Sequence, residues 1–486
     1  MPTPSLFFRL LDSPIDSKGA DLLQQITLQN QGEPTNKTFS ANPGDFGDIP
    51  GSPFAYWAKA LLELSRRHEN LEPKFGKVIR GPETYDLLKS LRLWVEVNPS
   101  SVGIKEVWVD YAKGGEYKAY SSDVHLVINY ALHREGIECF RRPGDSADYF
   151  RPGITFTQRT SKRISFRIMN ANCLTSPKGP GIIPASKDLL WFLLGIGNST
   201  IYQKIIELKV GAADAAARSY DLHIIRNSAV PTTTHDILRQ VINLVKRILN
   251  ETILSDQQNE LSHFFQLPLF FLSSLNESCE STIRDAIKRE KDVITLQNEL
   301  DNIISTTYGL DPKDIDNGEG LLKKSELNDE VDDISQSNNT NEKDDDEDQT
   351  DDSNFDKKEL VERFIQWSIG CQFGRWDARF ALQPDLLPAL AGPFDPLPRC
   401  SPGMLLSPDG LPATRGNIVS EAWLRARPNV LRMPEEDEGQ KTEDGQNGSS
   451  TVVRPWSLLP EDDYPLPIAW DGILVDDPDH PRDIVT

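Results

Sequence analysis

The sequence predicts an α+β protein: a mixed helix-and-strand domain, then an α-helical region, an acidic disordered insert, and a helical, proline-rich C-terminal region. Three observations lead there. Before residue 231, β-prone segments and apolar helical patches are separated by glycine turns, and Ile164-Ser165-Phe166-Arg167-Ile168 shows the clearest alternation. After His235 the apolar residues take helical spacing, with Ile237, Val241, Leu244, Ile248 and Leu249 on one face. From 311 to about 356 the chain is rich in Asp, Glu, Asn and Ser with almost no aromatics, and so cannot bury enough apolar surface to offset the entropy of ordering.

Taken in order, residues 1–48 read as an N-terminal arm or the remnant of an upstream domain, with one helix-like patch at 20–28. The mixed domain spans 49–231. Pro53 suits the first turn of a helix over 54–67, because its missing N–H is not needed there. Strands are expected at 107–109, 124–128 and 164–168, with turns at Lys113-Gly114-Gly115 and Lys178-Gly179-Pro180-Gly181 between them. Helices are expected at 188–196 and 201–209. The helical region spans 232–310, where Ile287, Ile294, Leu296, Leu300 and Ile303 continue a weaker periodicity before Tyr308-Gly309-Leu310. The insert occupies 311–356, and 357–486 opens with a helix at 358–370 and runs into the tail Trp470-Asp471-Gly472-Ile473-Leu474-Val475-Asp476-Asp477-Pro478.

Composition excludes several classes. The 486 residues give room for two or three domains. The N-terminus has no basic segment before a long apolar run, so no signal peptide is expected. The longest apolar stretch, 189–197, is about half the roughly 20 residues a membrane helix needs. Five scattered cysteines (Cys139, Cys173, Cys279, Cys371 and Cys400) include no Cys-x-x-Cys pair, which argues against a disulfide framework or zinc site and for a reducing cytoplasm. The seven histidines show no metal-binding spacing. Net charge is −22, but residues 51–250 carry 28 Lys+Arg against 19 Asp+Glu, a local +9 that leaves −31 elsewhere. A basic body with acidic appendages is compatible with nucleic-acid binding.

The densest chemistry lies at 149–163. Arg151, Arg159, Lys162, Arg163, Arg167 and Lys178 give residues 151–180 six positive charges and no acidic residue. Guanidinium groups grip phosphates bidentately and read guanine edges, and hydroxyls such as that of Thr160 suit backbone contacts. Tyr149, Phe150 and Phe156 are available to pack or stack. The competing reading is a strand edge kept soluble by its cations. A second segment, 201–220, reads as helical: Ala212, Ala213, Ala215, Ala216 and Ala217 suit a tightly packed core helix, and Arg218-Ser219-Tyr220 ends it with groups able to face a phosphate. Gly114-Gly115 and Gly195-Ile196-Gly197 complete neither a dinucleotide fingerprint nor a P-loop and read as turns. An amino-methyltransferase also needs an Asn/Asp-Pro-Pro-aromatic tetrapeptide to hold the target amine and stack on the flipped base. Asn98-Pro99-Ser100-Ser101 and Asn42-Pro43-Gly44-Asp45 come nearest, and both lack the second proline and the aromatic.

At these residues a family resemblance emerges. Asp48-Ile49-Pro50-Gly51-Ser52-Pro53-Phe54-Ala55-Tyr56-Trp57, Arg92-Leu93-Trp94, Tyr111-Ala112-Lys113-Gly114-Gly115-Glu116-Tyr117, Phe150-Arg151-Pro152-Gly153-Ile154-Thr155 and Ala217-Arg218-Ser219-Tyr220 resemble the C-terminal half of large adenine-specific DNA methyltransferases. Such enzymes occur in BREX-type phage-defence systems and as fused restriction–modification proteins. Glu299-Leu300-Asp301-Asn302-Ile303-Ile304 through Tyr308-Gly309-Leu310 resembles the helix ending their target-recognition part. Phe373-Gly374-Arg375-Trp376-Asp377, Phe394-Asp395-Pro396-Leu397-Pro398 and the 470–478 tail resemble the extra C-terminal region of one branch. The match spans about 46–486 apart from the acidic insert.

The resemblance implies that this chain recognises double-stranded DNA, with Arg151, Arg159, Thr160, Lys162, Arg163, Arg167, Lys178, Arg218, Ser219 and Tyr220 as its contacts. It implies that methyl transfer to adenine N6 belongs to a Rossmann-like domain that is missing here or encoded separately. S-adenosylmethionine is expected there, with no catalytic residue, cofactor or metal in this chain. The expected location is the cytoplasm, without a membrane partner, and a separate methyltransferase domain or other defence proteins are expected partners. Two further readings stand beside it: a protein-interaction scaffold of a defence complex, and an autonomous methyltransferase.

Overall fold

The computed structural model describes most of residues 4–44, 59–134, 140–210, 218–268, 279–310 and 357–413, with short stretches near 431 and 457. The expected disorder of 311–356, the alanine run 212–217 and the 470–478 tail lie outside the described residues. At the N-terminus, β1 (Ser5–Phe8) and β2 (Thr38–Ala41) pair antiparallel around the helix α1 (Lys18–Asn30). The helix α2 (Lys59–Arg67) covers the described part of the helix expected at 54–67.

Two four-stranded sheets follow. Their strands, in chain order, are β3 (Gly76–Ile79), β4 (Leu91–Leu93), β5 (Trp108–Ala112), β6 (Leu126–Asn129), β7 (Gly153–Phe156), β9 (Phe166–Met169), β10 (Leu174–Thr175) and β11 (Gly181–Pro184). The two-residue strand β8 (Arg159–Thr160) stands apart from both sheets. The first sheet runs β9-β7-β11-β3, antiparallel throughout. The second runs β10-β5-β6-β4, with β10 parallel to β5 and the rest antiparallel.

Register explains why the first sheet holds. Ile154 pairs with Ile168 on one side and Ile182 on the other, and Ile182 pairs with Val78. These four residues form one apolar row across the sheet, facing the helices in the main core. Each buried side chain of this kind contributes roughly 1.5–3 kcal/mol. Ile79, Met169 and Ile183 belong to a separate core cluster with Val124, Phe264 and Leu397. With both faces covered, β7 and β11 are buried at every position. That is why Gly153-Ile154-Thr155-Phe156 and Gly181-Ile182-Ile183-Pro184 show no polar–apolar alternation to read as a strand.

Helices α3 (Lys187–Gly197) and α4 (Thr200–Val210) pack on this sheet. Ser186 caps α3 by accepting from the Leu189 N–H. The sequence reading of Gly195-Ile196-Gly197 as a turn is corrected, because these residues end α3. A Cβ on Gly195 would lie 2.7 Å from Val245, and one on Gly197 2.6 Å from the Phe166 ring. The glycines are there for close packing. The expected helix through 201–220 is corrected as well: α4 ends at Val210, and Arg218–Ser219 form the strand β12.

Next come α5 (His235–Asp256) and α6 (Cys279–Thr307), which place Val241, Leu244, Ile248 and Leu249 against Leu296, Leu300 and Ile304 in the same core as the sheet. Ile294 breaks the periodicity and is exposed. A smaller cluster forms around Trp367 and Cys371 of α7 (Lys357–Gln372) with Phe265 and Trp376. The architecture is α+β.

Candidate nucleic-acid interface

The structure divides the ten sequence-predicted contact residues into three groups, and strand pairing decides the division. The chain leaves the Phe156 end of β7, passes Thr157 and Gln158, and forms β8. There Arg159 pairs with Ser219 and Thr160 with Arg218, in a two-stranded antiparallel ladder with β12. Two segments nearly sixty residues apart, singled out separately in the sequence, are therefore neighbours. The Tyr220 N–H donates to the Gln158 carbonyl at 2.7 Å and extends the ladder.

Lys162 and Arg163 follow β8 in the connection to β9. The Lys162 N–H donates to Thr160 Oγ1 at 3.1 Å, and Arg163 Nε donates to Gln203 Oε1 of α4 at 3.1 Å. Lys178 joins the group from below, since its carbonyl accepts from the Gln158 N–H at 2.9 Å. Arg159, Lys162, Lys178, Arg218 and Ser219 are exposed there. Among the described residues, no carboxylate is paired with Arg159, Lys162 or Lys178. Arg218 differs, for its Nη1 donates to Glu207 Oε1 at 2.8 Å.

Arg151 sits at the other end of β7, before Gly153. It pairs with Asp148 at 3.0 Å, and the same carboxylate takes Lys77 at 2.6 Å. The hydrogen bond from Lys77, helped by Arg151, holds the Asp148 carboxyl below its ordinary range. Arg167 and Tyr220 form the third group, inside the protein. Arg167 is 2% exposed on β9, and its Nη2 donates to Thr157 Oγ1 at 2.8 Å. Burial pushes its guanidinium down to about 10. Tyr220 is fully buried in the main core. Surface chemistry at this end therefore rests on Arg159, Thr160, Lys162, Arg163, Lys178, Arg218 and Ser219.

The sequence reading missed some of the support. Lys113-Gly114-Gly115 was read only as a turn, yet it packs beneath the cationic end. Gly114 has φ +89°, and a Cβ there would lie 2.8 Å from the Lys178 carbonyl. Thr157 Oγ1 donates to the Gly115 carbonyl at 3.2 Å. Glu207 and Asp221 were also missed. Asp221 accepts from Gln158 Nε2 and Ser219 Oγ, both at 3.2 Å. No sequence signal marks these carboxylates, because their importance comes from pairing across the fold.

A separate polar cluster lies behind the second sheet. Asp123 accepts from the His263 N–H and faces its Nδ1, both at 2.9 Å, and Trp94 stacks on the imidazole. Burial, opposed by His263 and reinforced by Asp123, pushes the carboxyl of Asp110 up to about 6. Among the described residues, no group of His, Cys, Asp or Glu is arranged to hold a metal ion. No helix there is long and apolar enough to cross a membrane.

No family model matches the chain. It is 25% identical over 393 residues to the adenine-specific methyltransferase BrxX of Escherichia coli O9:H4 (strain HS), over 76% of this chain and 29% of that protein. It is 27% identical over 192 residues to the adenine-specific methyltransferase PglX of Lacticaseibacillus casei (strain Zhang), over 36% of this chain and 16% of that protein. A solved structure of the Type IIL restriction-modification enzyme MmeI in complex with DNA aligns with 51% of this chain and 34% of that one. Its TM-score is 0.34 at 14% identity, a likeness too distant to argue from. The chain is thus related to adenine-specific methyltransferases and spans less than a third of the length of the curated relatives it matches.

Proposed function

We propose that this chain is the DNA sequence-recognition part of a site-specific adenine-N6 DNA methyltransferase in a phage-defence or restriction–modification system, with methyl transfer performed by another domain or chain. The observation that carries the reading is the β8–β12 ladder, which gathers Arg159, Thr160, Arg218 and Ser219 beside Lys162, Arg163 and Lys178 next to the Phe156 end of β7. A two-stranded ribbon fits a major groove about 12 Å wide. Cations on its flanks neutralise phosphates, and the guanidinium forks of Arg159 on one face of the ladder and Arg218 on the other are each suited to guanine O6 and N7. The relation to adenine-specific methyltransferases supports the same reading.

A salt series on duplex DNA with the full chain tests it. Each neutralised phosphate adds about −0.9 to the slope of log affinity against log salt, so four cations give about −3 to −4. Binding that ignores salt would overturn the reading, as would no binding even with the cognate methyltransferase domain present. A second reading, a protein-interaction scaffold, is favoured by α1. That helix buries Gln25 and exposes Leu22, Leu23 and Ile26, Leu23 at 68%. Partners retained in a pull-down after nuclease treatment, and after neutralising Arg159, Lys162 and Arg163, would favour it.

A further inference from the structure

We propose that Glu207 is an internal counter-anion which a DNA phosphate displaces from Arg218, so that the protein limits its own affinity for DNA of arbitrary sequence. The inference rests on the DNA reading above and names how that site is regulated. Glu207 lies on α4, directly beneath the ladder. Its Oε1 accepts from Arg218 Nη1 at 2.8 Å, and its Oε2 lies 3.9 Å from Lys204 Nζ. The Arg218 side chain is 44% exposed and that of Glu207 24%, so the guanidinium is held by the protein and still open to an approaching strand.

Its neighbours give this contact its meaning. Arg159 and Lys162 flank the same ladder, and Lys178 lies below it, with no carboxylate partner among the described residues. They are available to phosphates at once. Arg218 can take a phosphate only by giving up Glu207, or by bringing that carboxylate close to the phosphate's own charge. Either course weakens phosphate binding at Arg218 by roughly two- to fivefold, the usual worth of a pair this exposed. A base edge presents no such repulsion to Glu207. A site that offers Arg218 a guanine is therefore penalised less than one that offers only phosphate, which makes Glu207 a repulsive element that sharpens discrimination.

Glu207→Gln keeps the side-chain shape and removes the charge. With a fluorescein-labelled DNA duplex of mixed sequence and the full chain, E207Q is expected to bind roughly two- to fivefold tighter at fixed salt. Its salt slope should steepen by up to about 0.9, because Arg218 then releases a counterion without one being taken up at the freed carboxylate. In an Arg218→Ala background the same substitution should lose most of its effect on both quantities, keeping only what the release of Lys204 contributes. Asp188→Asn removes one negative charge from the first turn of α3, where the carboxylate holds no cation among the described residues, and should leave the slope unchanged.

Unfolding midpoints confirm that each variant is folded. Weaker binding by E207Q, or an unchanged slope, overturns the inference and leaves Glu207 a structural support. So does a gain that survives in full in R218A or is matched by D188N, since either would reflect net charge alone. Absence of binding by wild type and every variant overturns the DNA reading itself and this inference with it.

Discussion

The two ends of β7 carry similar charge in the sequence and opposite chemistry in the structure. At the Gly153 end, Arg151 and Lys77 share the Asp148 carboxylate, which neutralises one of their two charges and holds both side chains within the protein. At the Phe156 end, Arg159, Lys162 and Lys178 have no carboxylate partner among the described residues, and a ladder to β12 adds Arg218. Four residues of strand separate the two. The difference teaches that a count of cations along a chain overstates an electrostatic footprint. What matters is which of them the fold leaves without an internal counter-anion.

The strongest way to break that comparison is to empty the Phe156 end. Replacing Arg159 and Arg218 together by Ala removes both guanidinium forks of the ladder. Affinity for duplex DNA is expected to fall by about 3 kcal/mol, roughly 100-fold, if each fork makes a contact worth 1–3 kcal/mol. The salt slope should lose about 0.9, from Arg159, because Arg218 meeting a phosphate frees Glu207 to take up a counterion in its place. Competition binding on the full chain measures both. A loss below threefold would mean that the cationic end is a solvated face and nothing more.

Arg167 sharpens the comparison from the inside. It belongs to the same basic block, yet β9 turns it into the interior, where it meets Thr157. Arg167→Met keeps most of the volume and leaves Thr157 without that donor. Stability is expected to drop by about 1–3 kcal/mol, the usual range when a buried charged donor is removed. Chemical denaturation reads this directly. The salt slope of DNA binding should stay within experimental error of wild type, because no exposed charge has been lost. A slope change near 0.9 would instead show Arg167 reaching a phosphate.

How much of this was legible beforehand follows from the physics of each element. Helices were readable where one buried stripe imposes an apolar pattern: α3 and α7 fall within a few residues of expectation, while for α5 and α6 the pattern marked a helical region without its ends. The α+β class followed from the contrast between those patterns and the alternation at 164–168. Strands β7 and β11 were not readable, because both of their faces are buried. The glycines of α3 misled in the other direction. Gly195 and Gly197 look like turn residues, and only contact with Val245 and Phe166 shows why they are small. For the candidate site, the cations were visible as a block, but their sorting was not. Asp148 lies three residues from Arg151 and was within reach of inspection. The pairing of Arg218 with Glu207, and of Thr160 with Arg218, depends on α4 and β12 coming together in space, which no local pattern encodes.

The smallest expected effect is the most pointed. Arg151 is exposed and lies in the segment richest in aromatic and cationic residues, so sequence alone ranks it beside Arg159. Its guanidinium is held by Asp148, which Lys77 holds as well. Arg151→Ala removes one member of a three-residue surface network whose remaining pair stays intact. Exposed pairs of this kind contribute about 0–1 kcal/mol. Duplex affinity is therefore expected to change less than threefold, the salt slope by less than 0.3, and the unfolding midpoint hardly at all, against the 100-fold loss at the opposite end. Lys77 then has sole use of Asp148, so the charge of this group falls from +1 to 0. An R151A variant that lost tenfold in affinity would place DNA across the whole length of β7, and the distinction between its two ends would no longer hold.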